Sequence, residues 1–308
     1  MKMVYYSEHF KELEKKCNFP EEAVKVFDEV AQRLDSDKAL GAEFEKIRKG
    51  YMFPYAHNLG GKFIPEVEAL AEANGINKYT LDMVFIMVCA ELLHKRYARK
   101  GVSDELFWAG CDDFRCKLLE CMECEEVPGT FVAGWNDGFF RMNRFALGRF
   151  QYEYDRFPKD FTTSAGIKIK KGQKCVNFHI PSSGISLTDD VRLDSYKKAY
   201  EFFADRRTPE GYLIMKCGSW LLYPRYKEFL PKESNILKFQ SDFELFEYAA
   251  KDNFGDAWRV FGKYSDSPVE EYPENTKLRR AFKQWLLSGE KTGYGCGVIV
   301  FDGEKIIR

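Results

Sequence analysis

The periodicity of the sequence changes once, and this change constrains the fold more than any other feature. Up to about residue 125 the apolar residues recur at three- and four-residue spacing. "FPEEAVKVFDEVAQRL" opens with proline and acids and places Val24, Phe27, Val30 and Leu34 on one stripe, which predicts a helix. "KALGAEFEKIRKGY" and "IPEVEALAEANG" follow in the same manner. "KYTLDMVFIMVCAELLHKRYARKG" is the longest helical pattern and ends in a basic turn and a glycine. Ser103 reads as the cap of "DELFWAGCDDFRCKLLECM". After "CEEVPG" the texture alters. In "FALGRFQYEYDRF", Phe150, Tyr152 and Tyr154 alternate with Arg149, Gln151, Glu153 and Asp155, as in a half-buried strand. "GIKIKKGQKCVNFHI" reads as a strand pair around Lys171-Gly172. A helix over 188–205, a strand at "GYLIMKCGSWLLY", a short helix at "DFELFEYAAKD", a short strand at "AWRVFG", a helix at "NTKLRRAFKQWLLSGEK" and a last strand at "YGCGVIVFDG" complete the pattern. The expectation is an α+β protein, with an all-helical domain over 1–126 and a mixed sheet with flanking helices over 127–308. A chain of 308 residues is long for one core, which fits two domains.

Charge and cysteine usage narrow the function classes. The chain has 47 basic and 48 acidic side chains, a net charge of −1, and no long basic run, so no nucleic-acid partner is expected. Its first residues, "MKMVYYSEHFKELEKKC", have no apolar leader pattern. Asp82 and Glu91 interrupt the most apolar stretch, which reads as a buried helix; no membrane partner and a cytoplasmic location are expected. The nine cysteines are expected to be reduced. Of Cys111, Cys116, Cys121 and Cys124, only the last two have a C-x-x-C spacing, and the segment is helical. Buried thiols, no metal and no disulfide are therefore expected.

The candidate site lies at "VNFHIPSSG", where a strand ends in His179 and runs into a turn ahead of a helix. His179 reads either as a general base, with an ordinary pKa suited to that work, or as a histidine satisfied by local backbone. Glu153 shares a strand face with Gln151. It is a candidate base, or an orienter of His179, or one member of a solvated face with Arg149. Ser182, Ser183 and Gly184 are candidates for holding a ligand through hydroxyls and amides; no G-x-S-x-G elbow surrounds them. Gln151, Trp220 and Tyr223 are candidate substrate contacts, the two rings being either pocket walls or core. Cys217 with His179 raises the alternative of a thiol nucleophile. His57 and His94 fall in the helical half, and His94 reads as structural.

"ANGINKYTLDM", "RFALGRFQYE", "NFHIPSSGISLTDD", "SWLLYPRYKEFLPKESNILKFQSDF" and the glycine-rich last strand together resemble one bacterial family of acyltransferase-domain proteins. That family has a helical N-acyltransferase-type N-terminal domain and a GNAT-like C-terminal domain. The resemblance covers nearly the whole chain. It implies transfer of an acyl group from a thioester donor such as acyl-CoA to a small metabolite bearing an amine or a hydroxyl, and the residues read above make His179 and Glu153 the candidate acid–base pair. The alternative it implies is a non-catalytic GNAT-like ligand-binding or regulatory protein with an aromatic cleft. The family's pyrophosphate loop, [RQ]-x-x-G-x-[GA], stands opposite "PSSGISLTDD" here, which has one glycine, no leading Arg or Gln, and Asp189 and Asp190 in the first helical turn. "TGYGCG" is closer to that loop but leads into a strand and reads as close backbone packing. The sequence leaves the oligomeric state open.

Overall fold

A computed structural model describes residues 5–308 of the chain. They fall into two compact units, one ending at Phe145 and the other spanning Ala146–Arg308.

The first unit is helical. It contains α1 (Glu8–Lys16), α2 (Glu21–Ser36), α3 (Lys38–Met52), α4 (Ile64–Ala73), α5 (Lys78–Arg99), α6 (Asp104–Cys124) and the single turn α7 (Asp137–Phe140). Short polar side chains start four of these helices by accepting bonds from free N–H groups: Ser7, Asp37, Asn77 and the expected Ser103. Helix α5 is buried without a break from Thr80 to Ala90, so it is a central helix enclosed on all sides. Among the described residues no helix is long and apolar enough to cross a membrane. The boundary falls later than the change of texture. Phe139 and Phe140 of α7 stack among Phe114, Phe107, Tyr97 and Tyr51, so the segment after α6 is drawn into the helical core.

The second unit is a mixed sheet with helices. Strand β1 (Arg144–Leu147) straddles the division. It is followed by β2 (Phe150–Arg156), β3 (Phe161–Thr162), β4 (Lys168–Ile169), β5 (Lys174–His179), α8 (Asp189–Phe202), β6 (Leu213–Ser219), α9 (Asn235–Ser241), β7 (Glu244–Ala250), α10 (Trp258–Phe261), α11 (Lys277–Leu287) and β8 (Gly293–Phe301). The sheet order is β1-β2-β5-β6-β8-β7, and β3 and β4 form a separate hairpin. One face is aromatic: Phe150, Tyr152 and Phe178 pack against Tyr196 and Phe203 from α8 and its end, and against Phe239 and Phe243 beside α9. On the other face Phe157, Ile169, Cys175, Ile214, Val298 and Val300 form a smaller core under the β3–β4 hairpin.

Three local expectations are corrected. "DFELFEYAAKD" is strand β7, not a helix. A bulge between Leu245 and Glu247 puts the extra residue Phe246 out of phase, and this breaks the alternation that marks a strand. "AWRVFG" is the helical turn α10, not a strand; adjacent Val260 and Phe261 are both buried, which a strand with one solvated face does not allow. The strand pair around Lys171-Gly172 also forms differently, because β4 pairs with β3 and β5 with β2. Helix α9, started by Ser234, was not legible as a separate element.

Asp82 lies inside the buried run of α5, only 1% exposed, with Oδ1 unpartnered. Burial raises its pKa from 3.8 to about 8, with the Glu68 charge adding to the effect. The unfolded chain releases this proton near 3.8 and the native protein near 8. The native state is therefore favoured by this group at low pH, and that stability is lost as pH rises across the window. For Asp82→Asn the melting temperature should gain on wild type progressively between pH 4 and pH 8. A difference that does not vary with pH would contradict this assignment.

Candidate active site

Strands β2 and β5 run antiparallel with Gln151 opposite His179 and Glu153 opposite Asn177. Opposed residues project to the same side, so these four side chains lie on the face away from the aromatic layer. His179 Nε2 lies 3.0 Å from Glu153 Oε2 and 3.2 Å from Asn177 Nδ2. Both members of the pair are partly buried, with side chains 20% and 25% exposed. Gln151 is buried. One step along, Lys216 of β6, in register with Asn177, bonds Asp155 at 2.9 Å. The structure therefore brings His179, Glu153 and Gln151 together and adds Asn177, Asp155 and Lys216. The signal for these three was present, because Asp155 and Asn177 are polar positions alternating with apolar ones and Lys216 follows the apolar run Leu213–Met215.

The protonation logic follows from the contacts. A carboxylate only accepts, so the ring nitrogen facing Glu153 carries the hydrogen in the neutral imidazole. Nδ1 then holds the lone pair. Rotation of the Asn177 amide lets its oxygen face the same N–H.

Strands β5 and β6 are parallel neighbours, and their ladder has two registered pairs, Val176 with Met215 and Asn177 with Lys216. Strand β5 continues to His179 and β6 to Ser219 without further pairing between them. The sheet opens there at the carboxyl ends of two parallel strands, the usual position of a ligand crevice.

The turn after β5 also differs from a simple helix lead-in. Helix α8 begins at Asp189, several residues beyond Gly184. Its first turn is occupied by its own acids. Asp189 pairs with Arg192 at 3.1 Å. Asp190 is held below the ordinary carboxylate range by hydrogen bonds from the Thr188 side chain and the Val191 amide. Ser182, Ser183 and Gly184 sit instead in a partly exposed turn, with Gly184 at φ +75° and Ser183 Oγ accepting from the Ile185 amide at 3.4 Å. Arg149 is buried beneath this turn and donates through Nε to the Ile185 carbonyl and through Nη1 to the Pro181 carbonyl, both at 2.9 Å.

Trp220 and Tyr223 are packed in a core. Tyr223 is 3% exposed, and Trp220 meets Tyr226, Phe254 and Phe282 edge-on. Their place is the aromatic cluster beneath α11, not the polar row at His179. Cys217 is fully enclosed, and burial pushes its thiol far above the ordinary range, opposite to what a nucleophile needs. The glycines of "TGYGCG" serve close packing, as expected. A Cβ on Gly293, Gly295 or Gly297 would meet the Ala249 carbonyl at 2.3 Å, the Leu222 carbonyl at 2.4 Å or the Phe243 Cβ at 2.8 Å. His94 is structural: it stacks on Phe107 at 4.0 Å, bonds His9 at 3.1 Å and also contacts Asp104. His57 is exposed and bonds the Tyr55 carbonyl at 2.8 Å.

Comparison with known proteins agrees with this architecture. Residues 8–142 match the N-acyltransferase N-terminal domain, and residues 145–299 match the GNAT-like C-terminal domain. No curated protein matches the chain. Among solved structures it is similar to an acyltransferase in complex with decanoyl-CoA and teicoplanin. The TM-score is 0.76 at 21% identity, over 96% of this chain and 88% of that one. A complex of an acyltransferase with CoA and 10C-teicoplanin gives 0.73 at 20%, over 95% and 87%. A third, with decanoyl-CoA, gives 0.60 at 16%, over 94% and 98%. At these identities the likeness establishes the fold.

Among the described residues no group of His, Cys, Asp and Glu side chains could hold a metal, and none of the nine cysteines is in a disulfide. Only Cys124 and Cys296 are partly exposed. In the native protein those two should react with a thiol reagent, and Cys217 with the other buried thiols only after denaturation. Peptide mapping that finds Cys217 labelled early, or fewer than nine thiols after unfolding without reductant, would overturn this.

Proposed function

Since the chain belongs to the family of the GNAT-like C-terminal domain, preceded by an N-acyltransferase N-terminal domain, we propose that it transfers an acyl group from acyl-CoA to a small acceptor bearing an amine or a hydroxyl. The observation that carries this reading is the His179–Glu153 pair at the mouth of the opening between β5 and β6. The acceptor nitrogen or oxygen attacks the thioester carbonyl carbon. His179 Nδ1 takes the proton that the nucleophile loses, and Glu153 steadies the charged ring through Nε2. The C–S bond then breaks, and the departing sulfur leaves as coenzyme A. Backbone N–H groups freed where the two strands part are suited to bonding the carbonyl oxygen or the amides of the donor arm. Ser182, Ser183 and Gly184 are the residues of this chain that would meet the donor's phosphates, and Gln151 lies beside His179 for the acceptor. Two of the similar structures hold decanoyl-CoA, which makes a medium-chain acyl-CoA the first donor to try.

A second reading is a binding protein without turnover. The acids that close the first turn of α8 favour it, because they remove one ordinary anchor for a pyrophosphate.

Decanoyl-CoA and free coenzyme A should both raise the melting temperature of the wild type. Release of free thiol in the presence of an acceptor separates the readings, since a binding protein shows the thermal shift alone. His179→Gln should keep the fold and lower turnover by about a hundredfold, the scale of losing a general base; Glu153→Gln should lower it less. If His179→Gln instead lowers the melting temperature and leaves turnover intact, the histidine is a structural cap on its strand.

A further inference from the structure

We infer that Arg149 is a positioning residue for the donor's phosphates: it fixes the 181–185 turn in the shape whose outward amides receive the anion. The inference rests on the acyl-CoA reading above and adds to it a residue outside the turn.

The argument begins with how Arg149 is aimed. It follows Gly148, which turns the chain from β1 into β2 at φ +72°. A Cβ on Gly148 would lie 3.2 Å from Asp194 Oδ2 and 3.3 Å from the Ser195 Cα, so the turn is pressed against α8. Ser195 fastens it there. Its hydroxyl donates to the Leu147 carbonyl at 2.5 Å and accepts from the Phe150 amide at 3.2 Å. The backbone on both sides of Arg149 is thus fixed on the helix. Arg149 as a whole is only 7% exposed, and its guanidinium reaches the next segment of chain.

There it holds both ends of one turn. A guanidinium presents its donors in a rigid planar fork, and here two of them meet the carbonyls of Pro181 and Ile185. While these two carbonyls are held by the guanidinium, residues 182 and 184 between them are exposed and 183 is partly exposed. The amides of Ser182, Ser183 and Gly184 donate no hydrogen bond among the described residues. Gly184 takes a positive φ of +75°, the left-handed conformation that contributes one half of an anion-binding backbone concavity. The neighbouring alternative, the start of α8, is closed by Asp189 and Asp190. The turn also begins two residues after His179, next to the acid–base pair.

Two thioesters separate positioning from general support. Decanoyl-CoA carries the pyrophosphate and decanoyl-pantetheine does not. Arg149→Met should raise KM for decanoyl-CoA about tenfold or more, which corresponds to one charge-assisted interaction, and leave kcat and the KM for decanoyl-pantetheine within about twofold. Arg149→Lys should restore little of the loss, because an ammonium cannot span both carbonyls. Gly148→Ala, which displaces the turn without altering the guanidinium, should show the same split. Equal losses on both donors, or no loss on either, would overturn the inference. If the wild type turns over neither donor, the acyl-CoA reading fails separately, and titration with inorganic pyrophosphate decides the anion site. Binding by wild type that is lost in Arg149→Met sustains it, and no binding by wild type refutes it.

Discussion

The geometry of the second unit depends on the short parallel ladder between β5 and β6. Parallel neighbours cannot be joined by a tight turn, so a crossover must return along a face of the sheet, and α8 is that crossover. Its arrival fixes which face is the core. Phe150, Tyr152 and Phe178 then turn towards α8 and α9, and the residues between them must turn the other way. Gln151, Glu153, Asn177 and His179 are grouped for that reason: the polar row is the complement of the aromatic one. A slip of one residue in the β2–β5 register would exchange the two sets and place a carboxylate among phenyl rings. The apolar packing that stabilises this unit thereby also specifies its chemistry.

The helical half was legible because its signals are local. Caps, basic last turns and three-to-four spacing all act within one or two turns of chain. The β2 strand was legible for a similar reason: "QYEYD" alternates cleanly, which placed Gln151 and Glu153 on one face before any partner strand was known. That His179 joins them depends on a pairing across 26 residues, which spacing suggests only weakly. Strand β7 was hidden by its bulge, and α10 by a pair of adjacent apolar residues in too short a run. Trp220 and Tyr223 show a different limit. An aromatic residue has the same sequence signature in a core as in a pocket wall, and only packing separates the two.

The burial of Arg149 is hidden in the sequence for a more instructive reason. In the alternating strand pattern it stands on the polar face, where an arginine ordinarily reaches water. Its burial comes from the 181–185 turn folding over it, more than 30 residues away. The anion-holding signature of the resembling family is written within one loop. On the reading proposed above, the corresponding parts are divided between a strand turn and a loop distant in sequence, so a search of the loop alone finds only one glycine and two unfavourable acids.

Ser195 has a consequence beyond its contacts. Its side-chain oxygen meets the Leu147 carbonyl, the Phe150 amide and, at 3.1 Å, the Tyr152 hydroxyl, joining the β1–β2 turn to the middle of α8. Opening the turn alone would strip that buried hydroxyl of two of its three partners, and fraying the helix alone would take the hydroxyl away from the Leu147 carbonyl and the Phe150 amide. The two segments are therefore expected to open together as one cooperative unit, with protection of the Phe150 amide from solvent hydrogen tied to the local unfolding energy of the helix that carries Ser195, 45 positions away. A short hairpin corner, ordinarily among the first parts of a fold to exchange, is here expected to open only with the helix beneath it.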